Sequence, residues 1–178
     1  MAEIRDEAVL KAVAHPLRRR ILDNLRVDGP SMPSALARAT GQAVANVSHH
    51  LRVLAEAGLV EEAPELARNR KEHWWRMGDP RLTWDPANFS PEAAEAADAI
   101  GLQRQIDLIN TWLGSPASRT EPWVHSAIAA DFWLRLSPQE LAELGAELEA
   151  VVLKYRNRPE REDREPVFLM SRGFPARP

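Results

Sequence analysis

Residues Asn46 to Val60, NVSHHLRVLAEAGLV, constrain the fold of this chain more than any other stretch. Val47, Leu51 and Leu54 recur at the spacing of one helical face, and such a face turns towards a core. Asn46, Ser48, His49, His50 and Arg52 are then left on the outside, all carrying groups that donate hydrogen bonds. Gly58 suits the left-handed residue that ends a helix, and Leu59-Val60 begins an extended segment. The stretch therefore reads as a short amphipathic helix with an imidazole-rich outer face, followed at once by a strand. His49 and His50 project about 100° apart on such a helix. They do not converge on one metal ion and are read as hydrogen-bond donors instead.

The flanking residues complete a larger motif. Leu17, Ile21, Leu22 and Leu25 form the apolar stripe of a helix with His15 and Pro16 at its N-cap and N1 positions. Gly29-Pro30-Ser31 breaks the chain, Pro33 to Ala39 forms a second short helix, and Thr40-Gly41 turns into a helix that starts near Ala43. A helix over Ile4 to Val13 precedes them. Downstream, Val60 to Ala63 and Glu72 to Met77 read as two strands joined by a loop that carries Arg68, Asn69, Arg70 and Lys71. Trp74 and Trp75 are neighbours on the second strand, so one faces the core and the other solvent. These are the parts of a winged helix-turn-helix, which sets its outer helix in the DNA major groove and its wing on phosphate.

The runs AHPLRRRILDNL, ALARATGQAVANVSHHLRVLAEAGLVEEA and RNRKEHWWRM resemble the ArsR-type (arsenic-repressor-like) winged-helix regulators of bacteria. The resemblance covers Asp6 to Met77. It is most specific at His15-Pro16 with Arg18 and Ile21-Leu22, and at Ser48, His50-Leu51, Leu54 and Ala57-Gly58-Leu59-Val60. It implies a dimeric DNA-binding regulator, usually a repressor released by a ligand, with Ser48 and His50 facing DNA and Arg68 to Lys71 as the wing. The chain departs from the family at Ala43, where a capping serine or threonine is usual; Gln42 is a weaker substitute. It also has no cysteine, and Ser90 to Gly114 has no histidine, so neither of the family's metal-site types can be built.

Charge is distributed as such a reading requires. The net charge of −3 divides into 12 Lys+Arg against 10 Asp+Glu through Gly78, and 11 against 16 from Asp79 onward. The basic excess lies in the winged half, concentrated at Arg18 to Arg20 and Arg68 to Lys71. The alternative for these clusters is ordinary solvated surface, and Arg18 can equally pair inside the fold with a carboxylate. At 178 residues the chain can hold one large or two small cores. Absence of cysteine fits a reducing cytoplasm, and neither a signal peptide nor a ~20-residue apolar run is present, so a cytoplasmic protein away from the membrane is expected.

The remainder reads as a connector, residues 79–89, a helical module, residues 90–157, and a C-terminal arm, residues 158–178. Ser90-Pro91-Glu92 opens a long helix on which Leu102, Ile106, Ile109 and Leu113 form a narrow seam. A third helix is expected over Glu121 to Leu136. Ser137-Pro138-Gln139-Glu140 is a capping box, and its helix carries Leu141, Leu144, Leu148, Val151 and Tyr155 at heptad spacing. Val167 to Met170 reads as a strand or arm. Both seams suit either a two-fold interface or core packing within one chain. Trp84, Phe89, Trp112, Trp123, Phe132 and Trp133 could line a site for an apolar small-molecule effector or simply fill a core.

The expected fold is mainly α with a small β-wing: a winged helix-turn-helix domain, residues 1–78, followed by an all-helical dimerisation domain. Expected partners are double-stranded DNA and a second copy of the chain. Base reading falls to Asn46, Ser48, His49 and His50, and backbone contact to Arg52, Arg68, Arg70 and Lys71. No catalytic, metal or cofactor residues are assigned, because no phosphate loop or nucleophile motif is present. The competing function is a winged helix that binds another protein rather than DNA.

Overall fold

Local signals set most of the helix boundaries in the N-terminal region. The computed structural model describes residues 3–4, 7–78, 83–84, 89–159 and 161–177, without the side chains of residues 3–4, 7–8 and 83–84. Helix α1 (Glu7–Val13) is followed by α2 (Pro16–Val27), where His15 takes an extended N-cap conformation and accepts from the Arg18 N–H. Helix α3 (Pro33–Thr40) ends at Gly41, whose φ of 67° is the left-handed conformation a side chain would strain. Helix α4 (Val44–Glu56) starts at Ala43 without a side-chain cap, as the sequence implies; Gln42 does not cap it and instead accepts from Asn46. Its far end closes through Gly58 at φ 68°, with the Leu59 N–H donating to the Leu54 carbonyl.

These helices share one core. Ile21, Leu22 and Leu25 of α2, Leu36 and Ala37 of α3, and Val47, Leu51 and Leu54 of α4 are buried together, joined by Leu10 and Val13 of α1. The Thr40 hydroxyl, also buried, donates to the Leu36 carbonyl at 2.7 Å, so burying it leaves no unpaired polar group.

Strands β2 (Val60–Glu62) and β3 (Trp75–Met77) pair antiparallel, with Val60 opposite Met77 and Glu62 opposite Trp75. The second strand is shorter than the Glu72 to Met77 expected, because Glu72 is taken up in the loop, its N–H donating to the Asn69 carbonyl. On its other edge β3 exchanges two backbone hydrogen bonds with Ser31, which ties the hairpin to the α2–α3 linker. Trp75 is buried at the loop end of the strand pair and Trp74 half-buried, so the two faces differ as expected. A second ladder, parallel and not expected, joins β1 (Glu3–Ile4) to β4 (Thr83–Trp84). Ile4 therefore lies in a strand, and α1 begins at Glu7 rather than at Ile4.

Helix α5 (Pro91–Gly114) is capped by Ser90, whose hydroxyl accepts from the Ala93 N–H. Its first turns belong with the winged domain: Ala94 and Ala97 are buried, Phe89 and Ala93 pack on the same core, and Arg104 pairs with Asp23 of α2. The chain divides into units 1–113 and 114–178. The connector, residues 79–89, lies largely outside the described residues, as does the Trp84 side chain.

The second unit contains α6 (Trp123–Ser126) and α7 (Pro138–Arg156). The helix expected over Glu121 to Leu136 stops at Ser126, and Ala127 is extended. Short helices depend on burying an apolar face, and Ile128, Phe132 and Trp133 stand exposed with none to join. Among the described residues, the regular elements of this unit are nonetheless helical, as expected. The capping box at Ser137 and Glu140 is formed in both directions. Residues 167–170 are neither strand nor helix, and no described residue of 114–178 is buried. Among the described residues, no helix is long and apolar enough to cross a membrane.

Leu51 is fully buried between α2 and α3. Leu51→Ala is expected to lower stability by about 2–5 kcal/mol, read as a shift of the urea midpoint at unchanged m-value. A loss well under 1 kcal/mol would show that α4 is not seated by this packing.

Candidate nucleic-acid interface

Seating Val47, Leu51 and Leu54 inward determines which side chains of α4 face out. Asn46, His49 and Arg52 are exposed, Ser48 is half-buried, and Val44 and Ala45 are exposed on the first turn. Asn46 donates to Gln42 at 3.0 Å, which holds its amide at the leading end of the helix.

His50 is the exception to the expected outward placement. It is only 9% exposed. The physical reason is the helical period: residue 50 lies three positions after Val47 and four before Leu54, inside the apolar stripe. Its ring stacks against His15 at a centroid separation of 4.6 Å and meets His49 edge-on at 5.3 Å. Its Nδ1 is buried without a hydrogen-bond partner. Burial, then the charges of His15, Arg18 and His49, push the His50 pKa below its ordinary value; burial and Arg18 do the same to His15. His50 thus forms a joint between α2 and α4 rather than part of the outer surface.

Arg18 is also turned inward. Its Nε donates to the Ala12 carbonyl at 2.6 Å and its Nη2 to that of Lys11 at 2.8 Å. The guanidinium therefore closes the C-terminal end of α1, where carbonyls lack helical partners. The internal role foreseen for Arg18 is met by carbonyls, not by a carboxylate. Of the basic run, Arg20 is left exposed.

The wing loop is organised by a residue that charge counting passes over. Glu72 accepts from the Arg68 N–H at 3.0 Å, from the Asn69 amide at 3.1 Å and from the Trp74 indole at 3.3 Å. Those bonds, the Arg68 N–H foremost, hold its carboxyl below the usual pKa. Asn69 in turn accepts from the Lys71 N–H at 3.0 Å. The loop is tied through backbone groups, while the side chains of Arg68, Arg70 and Lys71 remain exposed. At the hairpin base, Arg76 bridges Glu61 and Glu65.

Of the aromatics considered from sequence, Phe89 packs on the winged core, and Phe132 and Trp133 are exposed in the second unit. Among the described residues, no group of three or more His, Cys, Asp or Glu could hold a metal ion.

The His15–His50 joint makes stability depend on pH with a definite sign. Both folded pKa values lie below the unfolded value, so at neutral pH neither state is charged and the joint is unaffected. As pH falls below about 6.5, the unfolded chain takes up protons that the folded joint refuses, and stability drops. His50→Phe should match the parent near pH 7.5 and lose less stability between pH 6.5 and 5.5, measured by urea denaturation. Parallel losses in both proteins would remove the joint as the cause.

Residues 13–63 match the family profile of the helix-turn-helix domain. No curated protein matches the chain. Among solved structures, it is similar to the homodimeric winged helix-turn-helix DNA-binding domain of Mb0332 from Mycobacterium bovis, a possible ArsR-family transcriptional regulator. That similarity is 26% identity over 57% of this chain and 79% of that chain, with a TM-score of 0.36. It is similar to the transcriptional repressor BigR from Xylella fastidiosa at 26% identity, over 52% and 79% of the two chains, with a TM-score of 0.34. Against the transcriptional regulator Tm0710 from Thermotoga maritima, identity is 16% over 82% and 80%, with a TM-score of 0.34. Residues 13–63 are a helix-turn-helix domain, and the pairing of its last strand, β2, with β3 across the loop makes it a winged one.

Proposed function

We propose that the chain is a DNA-binding transcriptional regulator of the ArsR type, acting as a homodimeric repressor on a palindromic operator. The observation that carries this reading is the outer face of α4, where Asn46, His49 and Arg52 stand exposed over a buried Val47, Leu51 and Leu54. A helix of this kind presents its N-terminal residues to base edges in the major groove. Asn46 and His49 read bases, with Ser48 at the edge of the contact; exposed Val44 is placed to meet a thymine methyl. Arg52, Arg68, Arg70 and Lys71 contact the backbone. His50, buried, positions the helix rather than touching DNA. Two recognition helices about 34 Å apart need two copies of the domain. The site holds donors and cations but no nucleophile–base pair, which favours binding over catalysis.

The deciding experiment is titration of the purified protein against its own upstream promoter DNA and against random duplex, at two salt concentrations. Preference for the promoter with a steep salt dependence is expected. A folded protein that binds neither duplex would overturn the reading in favour of a protein-binding winged helix.

Two substitutions separate the roles. Arg70→Ala should weaken binding to promoter and random duplex alike and reduce the salt slope by about one. Glu72→Ala removes a negative charge from the wing, yet should weaken DNA binding because the loop loses the carboxylate that ties it; tighter binding would show that the charge alone matters.

A further inference from the structure

The second unit, residues 114–178, has ordered local structure without a core. Fifteen of its large apolar side chains stand exposed, among them Ile128 at 83% and Phe132 at 79%. Together they present on the order of 1,000 Å² of apolar surface, against the few hundred Å² of the largest patch on a typical monomer. That is also about what each partner contributes to a standard stable interface, ~800 Å². Helix α7 is nevertheless well specified, by its capping box at one end and the Asn157 N–H bonded to the Leu153 carbonyl at the other.

The exposed stripe of α7 has a second property. Half-buried Leu144 and exposed Leu148, Val151 and Tyr155 alternate by three and four residues, the seam of a two-helix contact. Glu140 and Glu147 flank the stripe on one side, and Lys154 follows on that same side in the last turn. A parallel pair of such helices would set Glu140 and Glu147 against Gly145 and Val152 on the other flank. An antiparallel pair sets Glu147 of one copy against Lys154 of the other.

We propose that α7 is the two-fold contact between two copies of this chain, the helices packed antiparallel along the Leu144–Tyr155 seam. The axis lies beside Ala150, which sets Leu148 of one copy opposite Val151 of its partner, Leu144 opposite Tyr155, and Glu147 against Lys154. The contact is isologous, so every pair occurs twice. This inference rests on the homodimeric reading above and names the element that carries it.

Sedimentation velocity of the full chain across a concentration series tests both. The parent is expected to be a dimer. Leu148→Glu with Val151→Glu should be monomeric at concentrations where the parent is dimeric. Because a core-like variant can fail for other reasons, a charge exchange on exposed positions decides the geometry. Glu147→Lys alone and Lys154→Glu alone should each weaken dimerisation by about tenfold or more, and the two combined should restore it. A dimer unaffected by any of these changes would overturn the α7 contact and leave the dimeric reading standing. Failure of the combined variant to recover would overturn the antiparallel arrangement. A monomeric parent at tens of micromolar would overturn both, while the promoter titration still judges DNA binding separately.

Discussion

Burial of one stripe of α4 against α2 and α3 is the interaction on which the rest of this structure depends. Val47, Leu51 and Leu54 have no accessible surface, and they meet Ile21, Leu22, Leu25 and Leu36 in one cluster. The helix lacks a side-chain N-cap, so packing rather than local hydrogen bonding holds its leading end. Because a helix is rigid and turns 100° per residue, placing three residues inward sets the direction of every other one. The outward set of Asn46, His49 and Arg52 is therefore a consequence of the core.

Polar side chains then fix the elements around that core. Arg18 stands in α2 but closes α1, by donating to the carbonyls of Lys11 and Ala12. His15 caps α2 and stacks on His50 of α4. Three helices are thus linked by two neighbouring residues of one turn. The arrangement has a cost, since the His50 Nδ1 is buried without a partner, and a cation there would face His15, Arg18 and His49. In the wing, the same economy of means appears in Glu72, which binds backbone and side-chain donors while the loop cations stay in solvent.

The two units differ in what stabilises them. In residues 1–113 the apolar stripes of α2, α3 and α4 find one another in a shared core, while the Leu102 to Leu113 seam of α5 stands exposed. In residues 114–178 the caps of α7 are as well formed as any in the chain, but the stripe they present has no counterpart within the described residues. Local signals can start and stop a helix; they cannot supply the surface that buries its face.

Much of the winged domain was legible in sequence, because its boundaries rest on residues with one conformational use: Pro16 and Pro33 at helix starts, Gly41 and Gly58 at positive φ. The stripe of α4 was legible too, through its period. What the sequence could not assign was any residue whose role is set by a distant neighbour. The period alone sets His50 inside the stripe, but its partner is decided only when His15, far back in the chain, is placed over its ring. Glu72 reads as one more charge until the loop folds its donors onto it. Residues 127–136 read as a helix from their apolar spacing, yet that spacing stabilises a helix only where something packs on it. Sequence by itself determined where the helices of the winged domain begin, end and turn their apolar faces, since those are short-range matters of backbone freedom and period. Tertiary structure decided which polar groups are buried, which are tied down and which reach solvent, because burial depends on what the rest of the chain brings alongside.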